Sequence, residues 1–355
     1  MTRTRTCRTG WRRTTALGLL ALAACDDPTS PTRAVTPDHP LSAVATSALL
    51  PNTWTAVAQM PETLGRTQLT AGVATNAAGH SIAYVFGGRY LQTGEEPPAT
   101  SILAYDATTD SWTTKSATFE GWATNGVGTI DGKLYISGGS VRLQQSSSRL
   151  LVYDPVADRV TRKADMPQAT SEGITGVING KLYVVTGVCG QSACRRLYRY
   201  DPRTNVWRSL APPPSQHWRG AGVALNGKLY VAGGGFKPFR SFDVYNPATN
   251  TWTALRLLPS GREIAVGTGA RGSIFLIGLQ YPDRTTFAYS PVTGSWSSRA
   301  PFPVPSDNSQ DLLAPFAAVK VMLGGQGYVL TVGSNYSFNN GENSKAPAPS
   351  FLYAP

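Results

Sequence analysis

The chain is poor in the residues that most often carry chemistry. It has three histidines in 355 residues, His39, His80 and His217. It has four cysteines, Cys7, Cys25, Cys189 and Cys194. A zinc site on Cys189 and Cys194 would need two further ligands, and none is near in sequence. No Gly-x-Ser-x-Gly elbow and no His-x-x-x-His pair occurs, and paired carboxylates are sparse. No catalytic constellation is therefore legible, and no motif asks for a cofactor or a metal. Charge is scarce as well, with Asp, Glu, Lys and Arg together at 15%. No Lys/Arg run interleaves with aromatics, which leaves nucleic acid binding without support.

What the chain does hold is glycine, proline and a repeat. There are 36 glycines and 26 prolines, as many short strands and tight turns require. The stretch Tyr200-Asp201-Pro202-Arg203-Thr204-Asn205-Val206-Trp207 recurs. Tyr105 is followed by Trp112, Tyr245 by Trp252, Tyr289 by Trp296, and Tyr153 by Val160 in place of the Trp. Upstream of each lies a turn, an apolar run and glycines. The clearest are Gly132-Lys133-Leu134-Tyr135-Ile136-Ser137-Gly138-Gly139, Gly180–Gly187 and Gly227–Gly234. Weaker copies end at Gly87-Gly88, Gly278 and Gly333. A fixed period of this size marks repeated supersecondary units. The Gly-Lys pairs are not phosphate loops, because no Ser or Thr follows the Lys and each pair joins two strands.

The pattern of a di-glycine and a spaced Tyr and Trp resembles the kelch repeat, a four-stranded propeller blade. The resemblance spans about residues 52–355. Innermost strands of small residues fall at 69–75, 123–130, 173–178, 220–225, 264–269 and 317–322. The C-terminal Phe351-Leu352-Tyr353 lacks its Trp, and Asn52-Thr53-Trp54 supplies it. The expectation is an all-β, six-bladed propeller closed by its N-terminal strand, with no open sheet edge. The copper site of kelch-type oxidases is not expected with so few histidines.

The N-terminus reads as an export signal. Arg3, Arg5, Arg8, Arg12 and Arg13 precede the apolar run at residues 16–24, which is too short to span a bilayer. Leu22-Ala23-Ala24-Cys25 resembles a bacterial lipobox, which implies a lipid on Cys25 after cleavage. The organisation expected is a signal peptide over 1–24, a Pro/Thr/Ser/Ala tether over 25–51 and the propeller over 52–355. The lipid would hold the protein to a membrane of the bacterial cell envelope without spanning it. Removing the five arginines leaves +6 of the formal +11 charge, so the mature chain is only mildly basic. In an exported protein Cys189 and Cys194 favour a disulfide.

The family resemblance also implies where to look for a ligand: the loops leading into each first strand and out of each second. Mapped here, these hold Arg66, Trp122, Glu172, His217, Trp218, Arg219, Arg262 and Glu263, and then Arg89, Arg142, Lys237, Tyr281 and Asn335. Arginines and aromatics suit an anionic or sugar-like partner. The function expected is a binding or scaffold module for a protein or glycan. The alternative is a carbohydrate-active enzyme resembling a periplasmic sialic acid mutarotase, with Glu172 or Glu263 moving a proton. The Asn/Ser/Gly-rich segment 334–349 reads as a long loop.

Overall fold

The structure, a computed structural model, describes residues 49–355 apart from 62–65, 91–98, 122–123, 143–144, 235–239, 261–263, 280–283, 304–314 and 334–349. Strands group into six four-stranded antiparallel sheets. Blade 1 is Thr70–Thr75, Ser81–Phe86, Ser101–Asp106 and Ser111–Thr118. Blade 2 is Val127–Ile130, Lys133–Ser137, Leu150–Asp154 and Arg159–Lys163. Blade 3 is Ile174–Ile178, Lys181–Val185, Leu197–Asp201 and Val206–Leu210. Blade 4 is Ala221–Leu225, Lys228–Ala232, Phe242–Asn246 and Thr251–Ala254. Blade 5 is Ile264–Ala270, Ser273–Leu279, Thr286–Ser290 and Ser295–Arg299. Blade 6 is Pro315–Leu323, Gln326–Gly333, Ser350–Ala354 and the N-terminal strand Thr53–Val57.

Each innermost strand lies against the innermost strands of both neighbours, so the sheets form a closed ring. Closure follows the repeat's own register. Trp54 pairs with Tyr353 as Trp112 pairs with Tyr105, Trp207 with Tyr200 and Trp252 with Tyr245. The innermost strand of blade 2 starts at Val127 and is shorter than the sequence suggests. Gly126 has φ of 109° there, and the Asn125 side chain is turned to accept the Gly173 amide.

The small residues of the innermost strands answer to the adjacent blade. A Cβ on Gly128 would sit 2.3 Å from Leu182 of blade 3. The cores are accordingly interfacial: Leu134, Ile136 and Tyr153 of blade 2 pack on Phe86 and Ile102 of blade 1. Tyr183, Val185 and Leu197 of blade 3 pack on Leu229, Val231 and Tyr245 of blade 4.

Strand order puts two kinds of connection at one end, here called the base. These are the hairpins between first and second strands, and the turns between third and outer strands. The other two connections form the mouth. A clamp between blades recurs along the base. In blade 3, Asn205 has φ of 56°, and its Oδ1 accepts from Tyr200 Oη at 2.7 Å and from the Ala164 amide at 3.0 Å. Trp207 Nε1 donates to the Ala164 carbonyl at 2.8 Å. Asp110 with Trp112 clamps Ala58 in the same way. Asn250 with Trp252 clamps Ala211. Asn52 with Trp54 clamps Ala300, so the closing junction matches the ordinary ones.

Two junctions are incomplete. Blade 2 keeps Asp158 on Tyr153 and the Ser116 amide, but Val160 replaces the Trp. Blade 5 keeps Trp296 on the Arg256 carbonyl, but Gly294 replaces the Asx residue. The clamp demands a left-handed backbone and a short acceptor, which is why Asn and Asp fill it. Burial pushes the clamp tyrosines Tyr200 and Tyr245 up to about 12, so they stay protonated donors.

Candidate functional site

The mouth is assembled from irregular pieces. Two rim hairpins rise from the ends of second strands. In blade 2, Ser140–Arg142 pairs with Gln145–Ser146, and in blade 3, Val188–Cys189 pairs with Ser192–Ala193. In blade 1, Arg89–Tyr90 instead pairs with Arg66–Thr67 of the lead-in loop. The blade 3 hairpin is stapled by the expected Cys189–Cys194 disulfide.

Backbone hydrogen bonds then sew blade to blade. Thr170 and Ser147 bridge blades 2 and 3, and Ser171 pairs with Val188 below the stapled hairpin. The Arg219 amide of blade 4 donates to the Glu172 carbonyl of blade 3 at 2.8 Å. Above that bond the side chains meet. Arg219 Nε donates to Glu172 Oε2 at 2.9 Å, and Nη2 donates to Oε1 at 2.8 Å. This is the two-pronged geometry that the guanidinium fork favours. The Arg219 guanidinium also lies 5.3 Å from the ring centre of Trp218, which is buried. Glu172 and Arg219 occupy equivalent positions before a glycine, with φ of 56° and 59°. For residues that are neither Gly nor Asx this conformation is uncommon.

Other expected site residues serve the fold. Arg66 is wholly buried, donating through Nη1 to the carbonyls of Gly87 and Ser101 and through Nη2 to Ser101 Oγ. His217 is buried with Asp243, which lies 2.8 Å from Nε2. Its Nδ1 is 3.1 Å from the Gly233 carbonyl, an atom that can only accept, so Nδ1 is the donor. Neither side chain reaches the surface as a mouth ligand would. Each instead ties a lead-in loop to the glycines that end the second strand. Thr170 does the same job in blade 3, where its Oγ1 accepts the Gly187 amide.

Of the remaining expected residues, Arg89 and Arg142 stand on rim strands. Cys25, Trp122, Lys237, Arg262, Glu263, Tyr281, Asn335 and the 334–349 loop lie outside the described residues. So do residues 1–48, where the signal peptide and most of the tether are expected. Among the described residues no group of three or more His, Cys, Asp and Glu is placed to hold a metal.

Three members of this end were not foreseen from sequence. Asp243 had a signal, being an acid two residues before the repeat Tyr, where the other blades carry Leu103, Leu151, Tyr198, Phe287 and Phe351. Asn125 and Thr170 had none, since a polar residue in a loop is ordinary.

A family model described as the KLHDC2/KLHL20/DRC7 kelch-repeats domain matches residues 72–278, more than half of the chain. The chain belongs to the kelch-repeat family. Its kelch fold is also that of solved propellers. A structure titled "Structure of YjhT" superposes with a TM-score of 0.61, covering 80% of this chain and 95% of that one. The two share 15% of their residues, so the likeness concerns the kelch architecture. No curated protein matches the chain in sequence.

Proposed function

We propose that this kelch propeller is exported, lipid-anchored at Cys25 in a bacterial cell envelope, and binds a protein or glycan partner at its mouth. The observation that carries the reading is the ledge formed by blades 3 and 4. There a guanidinium fork is fixed by Glu172, set beside Trp218 and presented from left-handed backbone. Backbone held in that region concentrates where ligands are gripped. Blade-to-blade hydrogen bonds make the ledge rigid, which lowers the ordering cost of binding. A partner bearing carboxylates would compete with Glu172 for Arg219.

The test is a glycan array together with envelope cross-linking, on the mature chain carrying Cys25→Ser and on the same chain with Arg219→Ala and Arg262→Ala. Saturable binding lost in the double variant is the expected result. Equal binding by both chains, or none to any glycan or envelope protein, would refute a mouth site. The anchor is tested separately by detergent-phase partition of the native chain against Cys25→Ser.

A second reading, a mutarotase-like enzyme on an acidic sugar, is favoured by the carboxylate beside the Arg. Glu172 would have to exchange its Arg219 bonds for the sugar before moving a proton. NMR of sugar mutarotation, with and without Glu172→Gln, decides it.

A further inference from the structure

The base carries exposed apolar side chains that no core uses. Leu50 is 69% exposed, Val292 is 91% exposed and Met322 is 38% exposed. Leu50 leads into the strand Thr53–Val57, Val292 tips the third-to-outer turn of blade 5, and Met322 is next to the end of the innermost strand of blade 6. All three therefore sit at the base of blades 5 and 6. One exposed valine alone is ordinary. The charges around these three make the difference.

In blades 1 to 3 an acid stands opposite each hairpin between first and second strands. His80 meets Asp106 at 2.7 Å, Lys133 meets Asp154 at 2.7 Å, and Lys181 meets Asp201. In blade 4 the matching position is Asn246, opposite the hairpin that bears Lys228. Blade 5 offers Arg271, whose guanidinium donates to main-chain oxygens of Gly327 and Pro355. Blade 6 offers Lys320, the one charged residue on any innermost strand. The base turns of blades 4 to 6 contain no Asp or Glu. The base thus divides into an acid-bearing half and a cationic half, and it is the charge that distinguishes them, since Val156 and Val206 of the acid-bearing half are exposed as well.

We propose that the base of blades 4 to 6 rests directly on an anionic lipid surface. Cations there are drawn to headgroup phosphates, and the apolar tips enter the headgroup boundary. The chain also arrives at this half, because residues 50–52 lead into blade 6 from the base. A tether from Cys25 therefore reaches the propeller here, a point that rests on the proposed anchor. Asp131 and the paired acids of blades 1 to 3 are repelled by the same surface. The propeller is thereby tilted onto blades 4 to 6, with its mouth turned away from the lipid.

The experiment is vesicle flotation of the mature chain carrying Cys25→Ser, so that no lipid anchor contributes. Vesicles of phosphatidylcholine, with and without phosphatidylglycerol, are compared at low and high salt. Binding is expected with phosphatidylglycerol alone and is expected to weaken with salt. Lys228→Glu should lower the partition by at least about fivefold per charge removed. Val292→Asp should lower it again, while Val156→Asp, on an equally exposed turn of the acidic half, should leave it unchanged. Lys228 is exposed at the first position of its strand and Val292 is exposed in a turn, so unchanged melting identifies a folded variant. No flotation on phosphatidylglycerol vesicles, or flotation of Lys228→Glu and Val292→Asp equal to that of the unsubstituted chain, overturns the proposal and leaves lipidation standing. A native chain that fails to enter the detergent phase removes the anchor without touching this result.

Discussion

At the base, blades 1 and 3 do one job with the same atoms. Asp110 and Asn205 each take a tyrosine hydroxyl and a backbone amide of the preceding blade, and Trp112 and Trp207 each donate to that residue's carbonyl. At the mouth the same two blades solve one problem differently. Arg66 donates to Gly87 in blade 1, whereas Thr170 accepts from Gly187 in blade 3. Blade 4 uses His217 for the purpose. The base geometry is fixed by a left-handed residue and an indole at set spacing, so few side chains fit. The mouth only needs the lead-in loop tied to the glycines, and many side chains can do that. A propeller built this way can vary its mouth without loosening its ring.

Breaking the base clamp should cost most. Asn205→Ala strands the hydroxyl of buried Tyr200 and the Ala164 amide, and leaves alanine in a left-handed backbone. We expect a loss of about 3 kcal/mol in denaturant unfolding. The matching change at the mouth, Glu172→Ala, removes a partly exposed ion pair and should cost about 1 kcal/mol or less. A mouth variant as damaging as the base variant would abolish the distinction between the two ends.

Cys189→Ser with Cys194→Ser comes next. The ring closed by the disulfide is short, so its loss should cost about 2 kcal/mol. The damage should stay local, visible as faster amide exchange in 188–194 with the Tyr–Trp registers intact. Below that lies a gain. Gly294 already has φ of 65°, and a Cβ there meets nothing closer than Tyr289 Oη at 4.0 Å. Gly294→Asn should supply the missing acceptor for Tyr289 and stabilise by about 1 kcal/mol, read as a higher denaturant midpoint.

The same contrast explains what could be read from the sequence. The Tyr-to-Trp spacing, the Gly-Lys hairpins and the split last blade are repeated, and repetition gave the fold and its closure. The Asx residue five after Tyr105, Tyr153, Tyr200 and Tyr245 is equally periodic, yet its role is not legible in the sequence. Its clamp spans two blades, and periodicity within one blade does not show which atoms meet across a junction. The mouth was harder for a physical reason. Arg66 and His217 are polar residues on loops, which usually means exposure, but here backbone carbonyls in the interior accept their hydrogen bonds. Glu172 and Arg219 stood in the expected loops. That they grip each other depends on both loops turning left-handed at equivalent places, which single residues do not announce.

The smallest effect concerns the base ion pairs and sharpens the comparison among blades. Lys133 holds Asp154 below the usual carboxylate range, and Lys181 does the same to Asp201. For Asp158, burial pushes upward, but hydrogen bonds from Tyr153 and the Ser116 amide outweigh it and the net shift is downward. A carboxylate whose folded pKa is depressed adds stability above its unfolded value of about 4, and that contribution fades as pH falls through the folded pKa. Stability should therefore decline on acidification from about pH 5 downward. Asp201→Asn should flatten that decline slightly and cost little at neutral pH, because the pair is partly exposed to solvent. Blade 4 already carries Asn246 at this place and keeps its clamp on Ala211, so the ion pair is separable from the ring. A variant that instead lost the blade 3 clamp, seen as Trp207 emission shifting to the red, would tie charge and closure together and make the base a single unit.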